Sequence, residues 1–566
     1  MSLENLFSLN LFSFTPLAWL AAAFAGLFFI LVVIYSLSFM KGRKGLFRYY
    51  LYTVLTLVFT LGVIFADNLL LLVVLWGFLG LLLYLLIGFG RTDATPATAR
   101  KALLIVGGTD AMMLLGLALV WLLVYGQGTG ISGLAKLSFS GITIPVAGGV
   151  STAAFLLLAS AALAKAGAMP FHTWVPDMAE SAPIPVTAYL PASLDKLLGV
   201  FFLARISLEL FTLNNAMGIV LMAIGSITIM AAVMMAMVQH DMKRLLGYHA
   251  VSQVGYMVLG IGTGNPIGIA GALFHMFNHT IYKSCLFLAG GAVEKSMKTT
   301  DLHRLGGLGK LMPLVFGAFF VASLSISGVP PFNGFASKWM LYQGIIGTAG
   351  TGGWTWILWL TAAMLGSALT LASFMKLIHA VFLGQASPHV TRVAEENPPK
   401  TPFAFAVPLV VLAVLCVGLG VFADRLPYGE LFSPALSADP VFPGLWSSTT
   451  ATKLMLAGLF LGLVVYMLGT ARKTRTTAPF IGGESLDDNP PIRVSGVDFY
   501  GTVREMKPLG LLYNWAEQKH FDCYVVGLRF ADFVGGLLSG LHNGLLSRYV
   551  LWCLAGLIVL YLTLIG

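Results

Sequence analysis

Charge is scarce in this chain. Of its 566 residues only 10% are Asp, Glu, Lys or Arg, while 58% are hydrophobic. A soluble protein of this length needs a far more polar surface, so that class is excluded. Cysteine is scarce too. Cys285, Cys416, Cys523 and Cys553 lie far apart, three of them in apolar stretches. No Cys-x-x-Cys or Cys/His spacing is present, which argues against an iron–sulfur cluster or a zinc site and for small buried hydrophobes. The opening "MSLENLF" lacks a positive start, so no cleavable signal peptide is read there. The net charge of +9 is not a nucleic-acid signature. The basic residues are scattered over short links between apolar runs, where membrane topology accounts for them.

Long apolar runs dominate what is there. Runs of about 20 residues exceed the roughly ten-residue strand of a membrane barrel, so the chain reads as an all-α polytopic membrane protein. Fourteen spans are expected, near 16–38, 47–66, 69–90, 102–125, 150–171, 186–208, 217–238, 244–263, 266–293, 311–349, 354–382, 403–424, 451–471 and 549–566. Lys and Arg follow the odd-numbered spans: "KGRKGLFR" after the first, Arg91, Arg100 and Lys101 after the third, Lys243 and Arg244 after the seventh. Lys295, Lys298, Arg304 and Lys310 follow the ninth, and Arg472, Lys473 and Arg475 the thirteenth. Those links are expected in the cytoplasm and both termini outside an inner, cytoplasmic membrane. Residues 472–548 are too charged to span. After a polar loop they mix Trp515, Phe521, Tyr524 and Phe530 with Lys519, Asp522, Arg529 and Asp532. The mixture predicts one long amphipathic helix over about 505–545, lying laterally on the cytoplasmic side against the membrane or partner subunits.

Ionisable residues inside spans are costly and usually functional. Asp110 falls in the fourth span, Lys165 in the fifth, Asp195 and Lys196 in the sixth, Lys338 and Lys376 near the ends of the tenth and eleventh. The ninth span contains "FHMFNHTIYKSCLF", with His275, His279 and Lys283 spaced four and four. A step of four turns a helix by roughly 400° and rises about 6 Å, so the three form one stripe about 12 Å long. Histidine titrates near neutrality and a desolvated lysine can release its proton, which suits a chain of proton sites. No carboxylate or HExxH pattern accompanies the histidines, so no metal is assigned to them.

Two spans should be broken. In "LAKAGAMPFHTWVPD" Lys165 stands five residues before Pro170, and in "SISGVPPFNGFASKW" Pro330 and Pro331 stand before Lys338. Proline removes a backbone donor and clashes with the preceding turn. Freed carbonyls at membrane depth are tolerated only where protein or water covers them. The broken spans are five apart and therefore antiparallel, the mark of two inverted five-helix repeats. The expected division is an N-terminal helix and basic loop (1–46), a first repeat (47–208), a second repeat (217–382), further helices (403–471), a cytoplasmic loop and lateral helix (472–548) and a final helix (549–566).

These runs, together with "FADNLLLLVVLWGFLGLLLYLLIGF" and "LGGLGKLMP", resemble the antiporter-like subunits of respiratory complex I and of Mrp sodium/proton antiporters. Membrane subunits of energy-converting hydrogenases and of an inorganic-carbon uptake complex share the family. The tail is similar to that of the long distal complex I subunit, relative to which about two N-terminal spans are lacking. The resemblance implies a proton-translocating subunit of a multisubunit energy-converting complex, with protons passing along Lys165, His275, His279, Lys283 and Lys338. It implies that Asp110 is the acid preceding the first broken helix. The family's glutamate after the tryptophan of "LW-FLG" is Gly77 here, so Lys165 is expected to lose a partner, and Asp195, beside Lys196, is the expected replacement. No motif for NADH, flavin or a redox metal is present, so no cofactor is assigned and electron transfer falls to partner membrane subunits. The alternatives are a subunit of an Mrp-type Na+/H+ antiporter or an inorganic-carbon transporter, and a scaffold subunit that does not pump.

Overall fold

The structure is a computed structural model that describes residues 11–125, 137–350, 353–425, 447–468, 496–542 and 544–565. Helices dominate it. After an N-terminal α1 (Pro16–Phe39), the expected first repeat holds α2 (Leu46–Phe65), α3 (Leu69–Ile87), α4 (Thr95–Tyr125), α5 (Gly149–Ala166), α6 (Trp174–Ser181) and α7 (Ile184–Leu210). In the second they are α8 (Asn215–Met237), α9 (Met242–Gly262), α10 (Pro266–Met297), α11 (Pro313–Ser327), α12 (Asn333–Ile346) and α13 (Trp356–Ile378), which ends in a π turn, His379–Leu383. A short α14 (Pro388–Glu396) precedes α15 (Phe403–Val421) and α16 (Ser448–Leu468). The sole sheet among the described residues is a pair of two-residue parallel strands, β1 (Ile144–Pro145) and β2 (Phe211–Thr212), which ties the α4–α5 link to the end of α7.

Among the described residues, twelve helices are long and apolar enough to cross a membrane. α9 and α10, of 21 and 32 residues, are long enough as well but carry the polar residues of the interior. Large apolar residues such as Val54, Val58, Val74, Leu81, Leu104 and Leu115 face outward from α2–α4, as a surface in contact with lipid requires. Inside, helices approach closely where glycine allows it. A Cβ on Gly225 of α8 would stand 2.6 Å from the carbonyl oxygen of Gly255 of α9, and one on Gly255 2.5 Å from that of Gly225. Such small-residue crossings let membrane helices bring their backbones together.

The two expected breaks are present. α5 ends at Gly167 (φ +76°) and α11 at Gly328 (φ +81°), left-handed caps that only glycine adopts without strain. In both, the next residue's N–H reaches back to the final turn: Ala168 to Leu163 O and Val329 to Leu324 O. The sequences here are Gly167-Ala-Met-Pro170-Phe171 and Gly328-Val-Pro-Pro331-Phe332.

A second pair of matching features lies at the corners. Asn68 caps α3 and bridges to Ser138 in the α4–α5 link, as Asp241 caps α9 and bridges to Asp301 in the α10–α11 link. Each corner is held by a cation from the end of its repeat. Arg205 donates to Ala66 O and also meets Asp67 (3.5 Å), while Lys376 donates to Met237 O (2.8 Å) and Gln239 O (3.0 Å). Arg205 and Ala66 are 139 residues apart, as are Lys376 and Met237. Both cations stand just ahead of a π turn: Arg205 directly before Ile206–Leu210, Lys376 three residues before His379–Leu383. The inverted repeat is thus written into the breaks and the corners.

Residues 507–566 form a separate compact unit of α18 (Lys507–Glu517), α19 (Cys523–Leu541) and α20 (Leu546–Ile565), preceded by a one-turn α17 (Gly501–Glu505). The single helix expected over 505–545 is two helices. The chain turns at Gln518–Phe521, where Lys519 is left-handed (φ +60°), and Asp522 caps α19 by accepting from Tyr524 N–H. The apolar pattern runs through this turn, so periodicity alone did not mark it. α19 is itself long and apolar enough to cross a membrane.

Candidate functional site

The site grows from the breaks. Gly199 of α7 sits so close to the end of α5 that a Cβ there would lie 2.5 Å from Ala166 N. One turn earlier on α7, Lys196 points its ammonium at Ala166 O (2.5 Å) and over the Trp174 ring. A cation at a helix C-terminus offsets the freed carbonyl and the helix dipole, by up to about 2 kcal/mol. The other break is treated alike: Lys338 of α12 donates to Ile326 O of α11 (2.9 Å). The two broken helices therefore each hold a buried lysine on carbonyls that proline and glycine have released.

Lys165, in the last turn of α5, is wholly buried. Its ammonium lies 3.4 Å from Trp76 O and 4.5 Å from the centre of the Trp76 ring. The indole N–H of Trp76 donates to Asp110 Oδ1 (2.9 Å), so one tryptophan connects Asp110 with Lys165. Asp195 is expected to reach Lys165 directly or through one water; among the described residues no direct ion pair within 4 Å joins Lys165 to a carboxylate. Asp110 and Asp195 both act on Lys165 through space, Asp110 the more strongly. The reasoning about Gly77 also changes. Gly77 lies on the exposed face of α3, and a Cβ there would meet nothing within 4 Å. A carboxylate at 77 would therefore stand on the outside of this bundle.

In α10 the stripe of His275, His279 and Lys283 is wholly buried. His275 is fully engaged: Nδ1 with Ser337 Oγ (2.9 Å), Nε2 with Gln253 Oε1 (3.2 Å) and Tyr282 Oη (3.2 Å). Among the described residues, His279 has no hydrogen-bond partner on either ring nitrogen and Lys283 has none on its ammonium. Lys283 instead faces the rings of Phe287 (5.6 Å) and Phe374 (5.7 Å). Lys196 is near enough for its charge to act on both His279 and Lys283. This joins the halves, with Asp110, Trp76, Lys165, Asp195 and Lys196 on one side and the α10 stripe and Lys338 on the other.

Several members were not anticipated. His249 of α9 bonds Ser373 Oγ through Nε2 (2.8 Å) and feels the charges of Lys283 and Lys338. The rule that flags ionisable groups inside spans applies to His249 as much as to His275. Asn278 and Asn333 form a buried amide pair: Asn278 Nδ2 donates to Asn333 O (2.8 Å) and Asn333 Nδ2 to Asn278 Oδ1 (2.9 Å). It fastens α10 to the second break. Chemically the arrangement offers proton acceptors and donors in file, with no nucleophile, no redox centre and no ligand set among them.

Comparison with known proteins places the chain. Residues 66–370 match the family model described as NADH:quinone oxidoreductase/Mrp antiporter, transmembrane. The NADH-quinone oxidoreductase subunit L of Mycobacterium tuberculosis is 31% identical over 83% of this chain and 71% of its own length. The Na(+)/H(+) antiporter subunit A1 of Staphylococcus saprophyticus is 31% identical over 78% of this chain, which spans 55% of that relative. The chain thus covers little more than half of the antiporter subunits it matches. In fold it is similar to an archaeal membrane-bound sulfane sulfur reductase (TM-score 0.78, 22% identity, 98% of this chain and 89% of that one). It is also similar to the Mrp complex of Dietzia (TM-score 0.67, 23% identity, 75% and 83%). With the family model matching more than half its length and a relative 31% identical over most of both chains, this multi-pass membrane protein belongs to the NADH:quinone oxidoreductase/Mrp antiporter transmembrane family.

Proposed function

We propose that the chain is the proton-translocating, antiporter-like membrane subunit of a multisubunit energy-converting complex of the complex I-like or membrane-bound hydrogenase kind. The observation that carries this reading is the file of buried titratable groups from Asp110 through Lys165, Asp195, Lys196, His279, Lys283 and His275 to Lys338. Ionisable groups at membrane depth are expensive, and a structural role would pair them. His279 and Lys283 have no hydrogen-bond partner among the described residues and occupy the middle of the file. Bridging water fits a polar site of this kind, and imidazole and amine can each pass a proton to it. Lys196 is the relay between halves: a proton gained at Lys165 raises the local positive charge and favours release farther along. The basic links support a cytoplasmic side at the odd-numbered connections and outward termini. Neighbouring membrane subunits would supply the driving reaction.

A second reading, an Mrp-type antiporter subunit, is favoured by the equal 31% identity to an Na(+)/H(+) antiporter subunit. Both readings are tested in vesicles containing the complete complex. Proton movement on adding the complex's reductant, lost in Lys283→Ala, supports the first. Proton movement driven only by a sodium gradient supports the second. No proton movement under either drive leaves the scaffold role.

A further inference from the structure

The two corners are built on one plan but differ in their side chains. Backbone pairing sets the equivalences. Leu69 N–H donates to Leu137 O and Phe139 N–H to Asp67 O at the first corner; Met242 N–H donates to Thr300 O and Leu302 N–H to His240 O at the second. By this register Asp67 matches His240 and Ser140 matches His303. At the first corner the pair is a plain hydrogen bond, Ser140 Oγ to Asp67 Oδ2, beneath Arg205. At the second the same two positions hold exposed histidines whose Nδ1 and Nε2 atoms lie 3.1 Å apart. The His240–His303 contact is a hydrogen bond that latches this corner as Ser140–Asp67 latches the first, but two exposed imidazoles with facing nitrogens are also most of a metal-ligand set that needs only a carboxylate.

A third residue supplies it. Asp498 comes from the far end of the chain, and one ligand atom from each of His240, His303 and Asp498 lies within 4.8 Å of the others. Its neighbours hold that segment in place. Val497 is buried, the Phe499 ring packs at a tilt of 40° against His379 (5.2 Å) and Tyr500 Oη donates to Ala372 O (3.0 Å). We propose that His240, His303 and Asp498 form a binding site for a divalent transition metal of the zinc class, which clasps the chain at Asp498 to the second corner.

The ligand chemistry fits. Two imidazoles and a carboxylate with an open fourth position form a recurring zinc donor set, and imidazole favours first-row metals over calcium or magnesium. Neighbouring donors around tetrahedral zinc lie about 3.3 Å apart, given metal–ligand bonds of about 2.0–2.1 Å. The histidine nitrogens are at that spacing, and exposed rings and a carboxylate can close the remaining distance by rotation. Lys376 and Arg504 are the cations that reach His240. The Lys376 ammonium is already committed to Met237 and Gln239 carbonyls. Asp498 stands nine residues before Lys507, where the C-terminal unit begins. The metal would thus fix the chain at Asp498 to the loop that opens α9, the helix of His249 and Gln253, with all three ligands in one compact unit. The ligands are 63 and 195 residues apart in sequence, so no spacing rule reveals them.

The test uses the full chain in its native complex, purified without a polyhistidine tag. Zinc content is measured after dialysis, and Co(II) is used as a spectroscopic probe. Wild type should retain one metal per chain and show the intense visible bands of tetrahedral Co(II). His303→Ala and Asp498→Asn should each weaken binding at least about tenfold. His389→Ala, which removes another surface histidine, should bind as wild type does. Chelation should speed proteolysis near residue 500 in wild type and leave the two ligand variants unaffected. Metal content equal in wild type and the His240→Ala/His303→Ala double variant would overturn the proposal. So would equal loss in His389→Ala, or proteolysis indifferent to chelation.

Discussion

Replacing Lys283 with methionine separates a transport role from a structural one. Methionine keeps the length of the alkyl stem, so packing against Phe287 and Phe374 survives. What is removed is an ammonium with 0% exposure and no protein hydrogen-bond partner. The loss is two aromatic contacts at 5.6 and 5.7 Å, roughly 0.5–1 kcal/mol each at that range. The gain is relief of desolvation, several kcal/mol for a buried ion and about 1–3 kcal/mol even for an unsatisfied neutral amine. The nearby charge of Lys196 adds to the gain. The balance favours the variant, so Lys283→Met should leave stability unchanged or raise it by about 1–3 kcal/mol. Proton transfer through the site should fall by about 100-fold. Thermal unfolding of the purified complex and proton flux in vesicles are measured on the same preparation. Unfolding at a clearly lower temperature would mean that the amine has a stabilising partner. Full flux would remove Lys283 from the pathway.

Asp110→Asn should lower proton flux more than Asp195→Asn, because Asp110 acts on Lys165 the more strongly and shares Trp76 with it; initial rates in vesicles decide the order. Arg205→Ala should destabilise the protein by about 1–3 kcal/mol, since it leaves buried Asp67 only its hydrogen bonds from Ser140, whereas Lys376→Ala frees only carbonyls and should cost less; thermal unfolding gives the ranking. Gly255→Val should sharply reduce folded yield, because its side chain would occupy the space of the Gly225 carbonyl; size-exclusion profiles of detergent extracts report it. Truncation after Thr470 should reduce co-purification with neighbouring subunits while the remaining helices still fold, as far-UV circular dichroism would show; undiminished co-purification would contradict an assembly role for the tail.

The spans were legible because about 20 apolar residues in a row have few alternatives in water or lipid. The α10 stripe was legible because a four-residue period needs only local sequence. The breaks were legible from proline, and the Gly-x-x-Pro-Phe shared by residues 167–171 and 328–332 is a trace of the repeat that a proline count alone passes over. The corners were not legible. Arg205 at a helix end reads as a surface charge, yet it reaches a carbonyl 139 residues away. The partnership of Asp110, Trp76 and Lys165 depends on how α3, α4 and α5 pack, which no single helix encodes. Gly77 was misjudged for the same reason. Its place in the motif is visible, but the face it occupies is decided by tertiary structure.

On the proposed function, protons cross through the buried file that runs from Asp110 through Lys165 to Lys338. Proton uptake by vesicles holding the intact, driven complex tests it most directly, with wild type compared against Lys165→Met at equal assembly. The account predicts that wild type moves protons and that Lys165→Met, correctly assembled, does not. Equal proton movement in both would contradict it.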